Sequence, residues 1–390
     1  MIPCPIRRIP FLGAAALITS VLAGGAPAAE TLDAPIGALV AYALDSGAFD
    51  NAHDAPRMVF NVAVTVEDAA WVRLYFGKVD LPDGSFLRLV SQLDGYTQHL
   101  DSARLLEWSN ASAYFNGNTV WIELVAGPAT VGNRVRLDHV TVQFGGPATA
   151  GFCGICDDDD RVASNEAFTG RLMPVGCTAS MYNDRGCFVS AGHCMGDALI
   201  MEFNVPPSNP DGTVQHPGPE DQYPVEQDSI EFTNGGVGDD WSHFTCAANS
   251  ETGLPAAEVQ GEFRPIAQVL PNSFPQDIEV FGYGVDTQPT ASATQQQSIG
   301  TLEGVFTQNL HPAWAYTADT TFGNSGSAIL LEGEIIGIVT HCTGGCTNYG
   351  TIINHGAFTL ARRECELSYD FDGDGDIDAA DFAGWQNCYP

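Results

Sequence analysis

Val189-Ser190-Ala191-Gly192-His193-Cys194 ends an apolar approach with a histidine beside a cysteine, and Gly323-Asn324-Ser325-Gly326-Ser327 sets a serine in a glycine turn before the apolar run Ala328 to Leu331. Between them lies Asp239-Asp240-Trp241. A serine hydroxyl is a poor nucleophile at neutral pH unless a positioned base takes its proton as it attacks. That base needs a carboxylate to hold its tautomer and to stabilise the imidazolium that forms. His193 offers the base, Ser325 the nucleophile, and the Asp239-Asp240 pair two candidate carboxylates. Gly323 lets main-chain N–H groups turn toward a developing oxyanion with no side chain in the way, so the N–H groups of Gly323 and Ser325 are the expected oxyanion hole. Taken singly, these residues read as a core histidine, an exposed acid and a turn serine. The ordered set of three carries the chemical reading.

The three segments resemble the histidine, aspartate and serine motifs of the chymotrypsin/trypsin family, and the order His, Asp, Ser matches that family while differing from subtilisin and the α/β-hydrolases. The resemblance covers about half the chain, from roughly Arg161 to Phe358, and is clear only around the motifs. It implies a trypsin-like double β-barrel and a serine endopeptidase that works through an acyl-enzyme on Ser325. It assigns the carboxylate to Asp240, because the family places its aspartate directly before an aromatic or apolar strand. It further implies a Cys177–Cys194 disulfide around the histidine loop, a specificity pocket containing Asp319 and Thr320, and a Thr340 hydroxyl bonded to the catalytic aspartate. Closing so short a loop contributes roughly 3 kcal/mol.

Departures from trypsin matter as much. Asn324 stands where trypsin-like zymogens carry aspartate, so the salt bridge to a freshly cut N-terminus cannot form and activation must work differently. GNSGS, with Asp159-Asp160-Arg161 ahead of it, is similar to the bacterial glutamyl-endopeptidase branch. That branch tends to carry a pocket histidine where this chain has Val339, which argues against an acidic P1 preference. Asp319 aligns with the pocket aspartate that favours Arg or Lys, yet an Asp-Thr pair also occurs in relatives without that preference, so the P1 residue stays open.

At the N-terminus, Arg7 and Arg8 precede the apolar run Phe11 to Leu22 and the small-residue stretch Ala26-Pro27-Ala28-Ala29, which reads as a secretory signal over 1–29. No later segment offers the roughly 20 apolar residues of a transmembrane helix, so the expectation is a secreted, extracellular or periplasmic protein. Eleven cysteines occur in the chain; with Cys4 removed alongside the signal the remainder is even, as in a disulfide framework. Cys153-Gly-Ile-Cys156 lacks the second CxxC or HxxxH partner that zinc needs. Cys342 and Cys346 are spaced to close a small loop at the pocket. Fifteen basic against 48 acidic residues give a formal charge of -33, which excludes nucleic acid and anionic membrane as favoured partners and suits a solvated surface. The expected partners are protein or peptide substrates, and the expected state is a monomer. His243, His311 and His341 have no sequence partners and read as structural.

The remaining chain divides by composition into a β-sandwich over 30–146, a linker over 147–161, the protease region over 162–364, and a C-terminal segment over 365–390. In the first, Val72, Leu74 and Phe76 share one strand face and Val120, Ile122 and Leu124 another; it reads as a binding module or as a pro-region removed near Arg161. In the last, Asp370, Asp372, Asp374, Asp376, Asp378 and Asp381 occupy calcium-loop positions 1, 3, 5, 7, 9 and 12, with Gly375 at the sharp turn. This EF-hand-like loop resembles one dockerin repeat, with Cys365 and Cys388 placed to clamp its ends. It implies structural calcium and a cell-surface or cohesin-like partner, although a full dockerin has two repeats. The rival to the enzyme is a non-catalytic secreted protein that keeps the protease fold and binds through its flanking modules.

Overall fold

The computed structural model describes residues 36–146, 154–342 and 345–366. The signal segment, Cys153 and the six aspartates of the calcium loop lie outside the described residues. The fold is mainly β.

The N-terminal part forms two four-stranded antiparallel sheets. One runs in the order Ala38–Asp45, Arg136–Phe144, Ala69–Phe76, Phe115–Asn116, and the other Arg57–Thr65, Thr119–Ala126, Phe86–Ser91, Thr97–Leu100. In Thr119–Ala126 the inward set Val120, Ile122, Leu124 and Ala126 is fully buried while its neighbours are partly open, the period of two that a half-buried strand imposes. Ala69–Phe76 differs: Trp71 and Arg73 are buried as well as Val72, Leu74 and Phe76. Its second face is also covered, by Ser112 and Tyr114 over Arg73 and by His216 against the edge of Trp71. The core around Trp71, Val72 and Leu74 continues into Met173, Ile200 and Val214 without a break.

The second part contains two larger sheets. The first is a half-barrel of seven strands ordered Gln222–Pro224, Ala198–Glu202, Thr169–Pro174, Cys177–Met181, Cys187–Ser190, Asp240–Thr245, Glu231–Asn234. The second runs Gln296–Gln308, Gln276–Gly282, Ala328–Leu331, Glu334–His341, Asn348–Ile352, His311–Tyr316, and pairing of the last with the first closes a six-stranded barrel. Ile278, Val280, Leu302, Trp314, Tyr316 and Ile329 fill its core. This is the architecture of a trypsin-like double barrel. The histidine loop belongs to the half-barrel and the serine turn to the closed barrel.

Cys177 and Cys194 are bonded across the hairpin that leads to His193. Cys346 is bonded to Cys156, 190 residues away, and not to Cys342. The expected small loop at the pocket is therefore replaced by a long-range tie to the segment that precedes the barrels. Cys187, Cys342 and Cys365 are each engaged in a disulfide as well.

Candidate active site

His193 follows the strand Cys187–Ser190 at the start of a 3-10 turn over Gly192–Asp197. Its Nδ1–H donates to Asp240 Oδ2 at 2.6 Å and its backbone N–H to Asp240 Oδ1 at 3.0 Å. One carboxylate thereby fixes the ring tautomer, with Nε2 left as the base, and the height of the loop. Asp240 is fully buried at the head of Asp240–Thr245. The hydroxyl of Thr351 donates to its carbonyl at 2.7 Å, tying the strand to the other barrel. Asp239 points elsewhere, toward His311 and His355. Thr340 donates to the Tyr349 carbonyl at 3.3 Å rather than to Asp240; the family-derived role for its hydroxyl is corrected by that contact.

The serine turn packs against the histidine strands through its main chain. Thr178 N–H donates to the Ser325 carbonyl at 2.9 Å, and Gly326 N–H to the Val339 carbonyl at 2.8 Å. Cys194 Sγ, next to His193 in the chain, lies 3.8 Å from the Ser325 carbonyl. Gly326, at φ 90°, leaves no room for a Cβ against the Ser190 hydroxyl and the Thr178 carbonyl. Gly323, at φ 95°, is similarly closed by the Tyr283 carbonyl, while its own carbonyl accepts from Thr178 Oγ1 at 2.7 Å. Among the described residues, the N–H groups of Gly323 and Ser325 donate no hydrogen bond, the condition for receiving an oxyanion. Ser325 is partly open to solvent and lines a pocket with Thr320, Thr321, Phe322, Val339, Thr340, His341 and Cys342.

Asp319 does not line that pocket. Its Oδ1 accepts the Cys156 N–H at 2.7 Å and its Oδ2 the Asp160 N–H at 3.3 Å. Burial raises its pKa against those two donors. The expectation that Asp319 presents a carboxylate to substrate is thus corrected: the side chain holds the segment behind the pocket. Thr320 is the pocket residue of the pair. His341, read as structural from sequence, is a wall residue with its ring centroid 6.4 Å from that of His193. Burial lowers its pKa, Asp240 opposes the shift and His193 adds to it, so the imidazole is neutral at neutral pH.

Sequence reasoning also missed Arg161. Its side chain is only 1% exposed. The guanidinium donates to both oxygens of Asp159 at 2.9 and 2.7 Å, to Thr321 Oγ1 at 2.9 Å and to the Val285 carbonyl at 3.0 Å. Thr321 N–H in turn donates to Asn324 Oδ1 at 2.9 Å. A planar cation with five donors therefore braces the base of the serine turn. The Asp-Asp-Arg string was the only sequence signal, and it carried no hint that the arginine turns inward.

No family model and no curated protein matches the chain. Solved structures do. A thermostable serine protease, AL20, from an extremophilic microorganism aligns at 14% identity and TM-score 0.36, covering 48% of this chain and 91% of that one. Protease Anisep from Arthrobacter nicotinovorans aligns at 15% and 0.37, over 49% and 92%. HBP aligns at 12% and 0.40, over 54% and 96%. Identity this low leaves activity to be argued from the site's own chemistry.

Proposed function

We propose that the protein is a secreted serine endopeptidase. Ser325 Oγ attacks the peptide carbonyl while its proton passes to His193 Nε2, and the negative oxygen of the tetrahedral intermediate is received by the Gly323 and Ser325 N–H groups. The same proton then goes to the leaving amine, and water hydrolyses the acyl-enzyme by the reverse route. Asp240 stabilises the imidazolium throughout. The observation that carries the reading is the 2.6 Å bond between a buried carboxylate and His193 Nδ1, beside a serine turn in which, among the described residues, the Gly323 and Ser325 N–H groups donate no hydrogen bond. Among the described residues no hydrogen bond joins Ser325 Oγ to His193; in such sites that bond commonly tightens only with substrate in place.

Among the described residues the pocket wall has no ionised side chain, since His341 is neutral and Asp319 is turned away. A basic or acidic P1 side chain would leave its charge unpaired there, which costs several kcal/mol. The expected preference is for a neutral P1 residue. Profiling with a peptide library reads this directly: cleavage concentrated after Arg, Lys or Glu refutes the pocket assignment, and hydrolysis surviving in Ser325→Ala refutes the enzyme itself. Export is supported by the disulfides, which persist in oxidising compartments. Calcium at Asp370 to Asp381, and a cell-surface or cohesin-like partner for that segment, remain part of the proposal on sequence grounds alone.

A further inference from the structure

Asp239 is left over once Asp240 holds His193, and it faces two imidazoles. It lies in the turn between Glu231–Asn234 and Asp240–Thr245; His311 opens the strand His311–Tyr316, and His355 precedes the helix Gly356–Glu366. Asp239 Oδ1 is 3.2 Å from His355 Nε2, and Oδ2 is 3.9 Å from His311 Nε2. One donor atom from each of the three lies within 4.8 Å of the other two. The imidazole planes are inclined by only 21°, with centroids 6.1 Å apart.

Two ring nitrogens and a carboxylate converging from three distant parts of the chain form a ligand set for a borderline divalent ion. At metal–ligand distances of about 2.0–2.1 Å, tetrahedral geometry places ligand atoms roughly 3.3–3.5 Å apart. The observed separations bracket that value, so small side-chain rotations close the site. The scaffold is firm. Gly238 packs within 3 Å of the His311 and Pro312 carbonyls at the point where a Cβ would stand, and Trp241 lies against His355 with ring centroids 5.9 Å apart. Side-chain exposures of 20, 39 and 18% for Asp239, His311 and His355 leave the three groups open to an ion from solvent.

We propose that Asp239, His311 and His355 bind a transition-metal ion of the zinc class. The nitrogen ligands separate this site from the all-oxygen loop at Asp370 to Asp381, which suits calcium. Asp239 adjoins Asp240 in the chain, so the ion clamps the turn that presents the Asp240 carboxylate to His193. The effect on hydrolysis rests on the protease reading; the binding does not.

The test uses the full secreted chain with calcium in saturating excess. Zinc is titrated against a chromophoric chelator, and cobalt is added separately to read ligand-field absorption. The wild type and Ser325→Ala should each bind one zinc with a Kd in the micromolar range or below, and cobalt should give visible bands. His311→Ala and His355→Ala should each weaken zinc binding at least tenfold and lose the bands, while keeping the far-UV spectrum of a folded protein. Equal affinity in the His311→Ala/His355→Ala double variant, or no binding tighter than millimolar in the wild type, overturns the proposal. Because Ser325→Ala is inactive by design, zinc binding to it is read independently of proteolysis.

Discussion

Asp239 and Asp240 are chemically identical neighbours given different work by position, one in the turn and the other at the head of the strand Asp240–Thr245. Asp240 turns into the barrel seam, where both its oxygens serve His193, and Asp239 turns to the surface histidines. Asp240→Asn should leave the fold intact, select the wrong imidazole tautomer and lower kcat by about 10⁴-fold. Asp239→Asn, assayed without added metal, should change kcat by less than tenfold. A reversal of those two results would reassign the carboxylate. The site was legible at this scale where a residue type has one use, as with a histidine and a serine each set in a glycine turn. It was not legible where a side chain has two directions to point. Asp319 occupies a pocket position along the chain yet satisfies the N–H groups of Cys156 and Asp160, because the segment behind the pocket needs acceptors. That requirement is invisible until 156 and 319 are brought together.

Beside its main-chain bonds, the serine turn is held as an element by side chains: the Thr178 hydroxyl on the Gly323 carbonyl, the Asn324 amide folded onto Thr321, and the buried Arg161. In a trypsin-like zymogen a new chain end would supply the cation. Here Arg161 is built in, 1% exposed, and the Cys156–Cys346 bond secures the segment that carries it. Arg161→Met removes the cation while leaving Asp159 partly open to solvent. It should lower kcat/KM by at least tenfold, with a smaller change in Tm than a core truncation would bring, because loss of a turn brace is felt by the oxyanion donors first. Unchanged kinetics in a folded variant would show that the turn holds itself. Strand alternation predicted the inward face of Thr119–Ala126 correctly. It could not predict that Ala69–Phe76 is covered on both sides, since Arg73, on the face opposite Val72, Leu74 and Phe76, reads as solvent-facing until its guanidinium is seen donating to the Ser112 carbonyl.

Across the whole molecule, the N-terminal sheets and the first barrel are joined by polar groups that are themselves buried. Gln222 exchanges two hydrogen bonds with the Tyr114 backbone, at 2.8 and 2.9 Å, and Asn116 does the same with His216, at 2.9 and 2.8 Å. The His216 ring stacks on Tyr114 and meets the edge of Trp71. Its Nδ1 bonds Glu202, which pairs with the buried Arg171. Such a surface resembles a domain core more than a releasable pro-region. Limited proteolysis within 147–161 should therefore leave the two fragments co-eluting on gel filtration, and Trp71→Ala should cost about 3–5 kcal/mol and destabilise both parts together. Clean release of the N-terminal fragment, with full activity in the remainder, would restore the pro-region reading.

The claim from which the rest follows is an activated Ser325. Intact-mass analysis of the purified secreted chain after exposure to a fluorophosphonate tests it most directly, beside Ser325→Ala treated in the same way. One covalent adduct on the native protein and none on the variant is the predicted result. A folded, disulfide-bonded chain that takes no adduct would contradict it, and the non-catalytic binding protein would then be the better account.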